Sequence, residues 1–148
     1  MSPDGLTHPG IAQLAEQSPS ARLAIAAAER MAATLAQLHR ERDRCLVLAE
    51  GFRAAFVALP GVPIDHPEGP ALAQRVRVQL AQAAACEQGI RDVDQLAASL
   101  LLSALIVVTQ EAERLELPTA ADAARGIAAR RFGSAVSLED AATWTAAA

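Results

Sequence analysis

The sequence contains no lysine, no asparagine and no tyrosine, and only 3% of its residues are aromatic. Strands favour aromatic and β-branched side chains, so this poverty argues against a sheet protein. All 13 basic residues are arginine, a choice that carries no functional information on open surface. A formal net charge of -4 leaves no basic footprint, which argues against nucleic acid or an anionic membrane as the main partner. The two cysteines form no Cys-X-X-Cys motif and no disulfide framework. The chain also lacks a Walker-type phosphate loop, a dinucleotide-binding glycine pattern and the Glu-x-x-His motif of di-iron bundles.

Long apolar runs are missing too. The longest, Leu96 to Val108, contains Ser99 and Ser103 and falls short of the ~20 residues that a membrane span needs. Met1 to Gly10 has neither a basic n-region nor an apolar h-region, so no secretory signal is expected. Cytoplasmic residence with reduced thiols is the resulting expectation.

What is present is alanine. Hydrophobic residues make up 52% of the chain, and alanine dominates them. Alanine is the best helix former and lets helices approach closely. An all-α fold follows: a helical bundle with one long N-terminal helix, two further main helices and one or two short C-terminal helices. The expected organisation is a mobile tail over residues 1–18, with a possible short helix at Ile11 to Glu16, then a single bundle domain over 19–148.

The first long helix starts at Ser18-Pro19-Ser20, where a hydroxyl can cap and Pro suits the first turn. Ala24, Ala28, Met31, Leu35, Leu38, Arg42, Cys45, Ala49, Phe52, Phe56 and Leu59 then alternate four and three apart, a coiled-coil-like seam over about five heptads. An unbroken helix of this length runs about 60 Å. Its apolar end needs a partner, which points to a homodimer or a larger complex. Pro60, Pro63, Pro67 and Pro70 make a stiff connector. The second helix is expected to run to Gln88 with Gly89 as its C-cap, and the third from about Asp92 to Leu117. A fourth follows Pro118 and ends at Gly133, and a last short helix holds Trp144.

Arg42 interrupts the seam. An antiparallel hairpin turning near residues 60 to 70 sets it level with Glu87, and Cys45 level with Cys86. A register-fixing Arg42–Glu87 pair is the structural reading. The alternative is an internal ligand pocket with Arg42 as anchor and Met31, Leu35, Leu38, Cys45 and Phe52 as walls. Cys45 and Cys86 read as inert core thiols. His8, His39 and His66 are too scattered for a metal site, and no cofactor is expected. Glu111, Glu113 and Glu116 read as a solvated helix end.

The functional expectation is a non-enzymatic interaction module, a scaffold, adaptor or accessory subunit that self-associates. Its contact surface is expected at Phe52, Phe56, Leu59 and Trp144. The internal-ligand bundle is the second reading. An enzyme whose site assembles only in the fold or at a dimer interface is the third and least supported.

Overall fold

A computed structural model describes residues 6–133 and Leu138. Among these residues the chain is all-α, with helices α1 (Pro9–Gln17), α2 (Pro19–Val57), α3 (Gly69–Arg114) and α4 (Pro118–Phe132). A single 3-10 turn, Pro63–Asp65, lies in the connector between α2 and α3.

The long first helix is one piece. Ser18 explains its start: the side-chain oxygen accepts from the Ala21 N–H at 3.2 Å, an N-cap, while its own N–H closes α1 onto the Leu14 carbonyl at 2.8 Å. Pro19 follows at the first helical position. The helix stops at Val57, so Leu59 lies just beyond it.

Two expectations are corrected. The second and third helices are one helix, α3, of 46 residues, and Gly89 lies inside it rather than capping an end. A helical glycine costs about 1 kcal/mol relative to alanine, which the long apolar face around it outweighs. A Cβ built there would sit 3.4 Å from Leu38 Cδ1, an ordinary van der Waals contact. The short helix expected within residues 1–18 is present as α1, but from Leu6 onward the segment is packed rather than a mobile tail: Leu6 is 3% exposed, and Ile11 and Leu14 are wholly buried. His8 caps α1 by accepting from the Gly10 N–H at 3.0 Å.

The chain divides into two compact units, one comprising residues 1–33 and 95–148 and the other residues 34–94. The first unit holds the main core. Ile11 and Leu14 of α1, Ala21, Ile25 and Ala28 of α2, Leu101, Leu105 and Val108 of α3, and Ala124 and Ile127 of α4 are buried together, with Leu138. Alanines at the contacts let four helical segments share a core with few large side chains. Gly10 is forced by this closeness, as a Cβ there would come within 3.0 Å of Thr119 Cγ2 and 3.2 Å of the Ala120 nitrogen. Thr109, buried on α3, returns its hydroxyl to the Leu105 carbonyl at 2.8 Å.

The second unit is a hairpin of the C-terminal part of α2 and the N-terminal part of α3. Its fully buried hydrophobic side chains are Cys45, Ala49 and Ala83. Gly69 pins the turn: any Cβ would collide with the Pro63 carbonyl oxygen.

Candidate functional site

Arg42, the charge that interrupts the α2 seam, lies on the hairpin, in the second unit. There the observed contacts fix an antiparallel register. Arg42 Nη1 donates to Glu87 Oε1 at 3.0 Å, Cys45 Sγ lies 3.8 Å from Gln82 Oε1, and the Arg75 guanidinium sits 5.7 Å from the Phe52 ring centroid. As α2 is followed forward, its partners on α3 run backward. Heptad spacing put Arg42 on this face because the residue occupies a seam position between Leu38 and Cys45.

Arg42 is a half-buried cation with two carboxylates. Its side chain is 24% exposed, and Asp43 Oδ1 accepts from Nε at 3.0 Å in addition to the Glu87 contact. Those two hydrogen bonds, Asp43 first and Glu87 second, raise its pKa further above the ordinary arginine value. A guanidinium neutralised twice has little left with which to attract an incoming anion.

The thiols are not activated. Cys45 is buried and Cys86 half-buried, and both are free. Burial first, and then the neighbouring Cys45 and Glu41, push the Cys86 thiol above its usual pKa. A nucleophilic cysteine needs the opposite environment. Gln79 Oε1 is buried in the hairpin without a hydrogen-bond donor.

Among the other residues singled out by sequence, Leu35, Leu38, Phe52, Phe56 and Leu59 are half-buried in the second unit, and Met31 is half-buried in the first. Trp144 and the short helix expected around it lie outside the described residues. His66 Nδ1 accepts from the Glu68 N–H at 3.1 Å. No group of three or more His, Cys, Asp or Glu side chains among the described residues is arranged to hold a metal ion.

The acidic run at the end of α3 is not simply solvated. Glu111 Oε2 accepts the Ser18 hydroxyl at 2.8 Å and the Arg114 Nη2 at 2.6 Å, and the Glu111 side chain is 20% exposed. Arg114, followed by Ser18, holds the Glu111 carboxyl below the ordinary glutamate range. Glu113 pairs with Arg125 of α4 at 2.8 Å, and Glu116 takes a left-handed backbone with φ 57° where the chain leaves α3. Sequence reasoning missed the Ser18–Glu111 link, although a signal for it existed. Equal counts back along α2 from Arg42 and forward along α3 from Glu87 lead to Ser18 and Glu111.

By length and composition alone α3 includes a segment apolar enough to cross a membrane, of which 39% is buried inside the protein. The core helix of a soluble protein meets the same criterion. Comparison with protein-family models, curated protein sequences and solved structures finds no match to this chain.

Proposed function

We propose that this chain is a non-enzymatic helical interaction module, a bundle built on its long α2 helix that acts by self-association as a scaffold, adaptor or accessory subunit. One observation carries the reading. The hairpin of residues 34–94 fully buries only small hydrophobic side chains, Cys45, Ala49 and Ala83, while Leu46, Val47, Val57, Val78 and Leu80 are 40–72% exposed. Two helices laid side by side cannot cover their own apolar surface, and such surface marks a place where another protein packs.

The doubly paired Arg42 and the unactivated thiols support a binding role over catalysis, which needs convergent groups of tuned pKa. A cytoplasmic setting with a protein partner is part of the proposal, and the two free thiols fit it. Sedimentation of the purified full chain, together with mass spectrometry of what co-purifies from the native host, tests the reading. A dimer or a stoichiometric protein partner is expected. A monomer at high micromolar concentration with no partner would sink it.

A further inference from the structure

The hairpin has two flanks, and the contacts distinguish them. On one, Gly89, Gln82 and Arg75 of α3 lie against Leu38, Cys45 and Phe52 of α2. On the other, Glu87 meets Arg42. Leu80 precedes Glu87 by one heptad and so shares its flank, and Leu46 follows Arg42 by one turn onto that same flank. The two leucines stand at neighbouring levels of the hairpin and are 45% and 49% exposed. Beside them on the outer edges are Glu50 of α2, an exposed carboxylate that accepts from Arg53 at 2.9 and 3.0 Å in a surface pair worth little, and the exposed Arg77 of α3. Arg77 has no hydrogen bond or ion pair among the described residues.

We infer that the Leu46–Leu80 flank is the docking surface for a second copy of this chain, arranged about a twofold axis parallel to the hairpin helices. This rests on the interaction-module reading and names its partner and surface. Charge complementarity across that axis supports the second copy as occupant. Such an axis lays α2 of one copy antiparallel on α3 of the other, at the level α2 already shares with its own α3. Leu46 then meets Leu80 of the second copy, and the symmetry makes one layer of four leucines. Glu50 meets Arg77, His39 meets Glu87, and Arg53 meets Ala73, each twice. No facing pair in this set carries like charge. The opposite flank lacks this match: the same operation there sets Leu48 on Gln82 and Ala55 on Arg75. A second hairpin also turns a two-helix unit into a four-helix arrangement, the number that ordinarily encloses a core. Self-complementarity of one patch is what a closed twofold dimer requires.

The experiment is sedimentation velocity of the full chain across a concentration series, with thermal melts by circular dichroism to verify folding. The variants are Leu46→Glu, Leu80→Glu, Glu50→Arg, Arg77→Glu and the double swap Glu50→Arg/Arg77→Glu. Both leucine positions are partly exposed, so each variant should fold as wild type does. A wild-type dimer is expected, with association weakened at least about tenfold by either leucine substitution, which buries a charge at the centre of the contact. Either single reversal should weaken it several-fold, and the double swap should recover most of that loss. A wild-type dimer indifferent to both leucine variants overturns this surface while leaving the interaction module standing. So does a double swap no better than the worse single reversal. A wild-type monomer throughout the series overturns this dimer, and it overturns the broader reading as well only if no other protein co-purifies.

Discussion

Single residues fix the joints of this molecule, and Ser18 does the most. It closes α1, caps α2 and donates to Glu111 of α3 from a fully buried position. Ser18→Ala removes the cap and strips the carboxylate of a donor, so thermal or urea unfolding should register a loss of about 1–2 kcal/mol. The Glu111 end of that bond is pH-sensitive with a definite sign. Its folded pKa is depressed, chiefly by Arg114 and then by Ser18. Its contribution is therefore complete above the ordinary glutamate range and disappears as pH falls through the lower, folded value. The melting-temperature difference between wild type and Glu111→Gln should hold constant from neutral pH down to the ordinary glutamate range and shrink below it. A difference that stays constant below that range as well would mean that the carboxylate charge is irrelevant. Arg42 behaves differently, because a half-buried ion pair gives back little beyond its desolvation. Arg42→Leu should leave the melting temperature unchanged or raise it. A large drop would show that the Glu87 and Asp43 contacts support the hairpin rather than set its register. Sequence made Arg42 conspicuous because a charge broke an apolar seam. Ser18 and Glu111 looked ordinary, since a cap and an acidic helix end are common and their meeting depends on register between distant segments.

At the scale of elements, α2 was readable and α3 was not, for one physical reason. Every seam position of α2 from Ala24 to Phe56 is buried or half-buried, as is Leu59 just beyond it, and nothing in the run competes with helix. In α3 the same local rules gave a stop at Gly89 followed by aspartates that can begin a helix. Glycine after a helical run has two uses, a left-handed cap or a gap for a neighbouring helix, and local sequence does not separate them. The difference has an observable sign. Because Gly89 is helical and a Cβ would only touch Leu38 at ordinary van der Waals distance, Gly89→Ala should stabilise by up to about 1 kcal/mol. A helix end there would make the same substitution destabilising. Gly51, which has nothing within 4 Å of its would-be Cβ, should respond as Gly89 does. Gly69→Ala should go the other way, since the Pro63 carbonyl occupies the space a methyl needs and the turn must open to admit it. Three glycines in two helices thus divide by sign in one set of melts.

For the whole molecule, the two units differ in how they hold themselves together. The first buries Ile11, Leu14, Leu105 and Val108 completely among four helical segments. The second rests on one seam of mostly half-buried side chains with an orphaned Gln79 oxygen in it. All-α character could be read from composition. The division into units could not, because α2 and α3 run through both and nothing local marks residues 33 or 95. Uneven burial has a dynamic consequence. Segments with few buried contacts open at lower free energy than the global unfolding reaction. At low concentration, amides of α2 and α3 within residues 34–94 should therefore exchange with solvent faster than those of Leu101 to Ala112. Raising the concentration should protect the hairpin selectively, since a copy that binds the folded hairpin stabilises it by mass action. Hydrogen-exchange mass spectrometry of the full chain at two concentrations reads both effects. Equal protection of the two units in the dilute sample would mean that the hairpin is self-sufficient, and its exposed leucines would then need no partner to account for them.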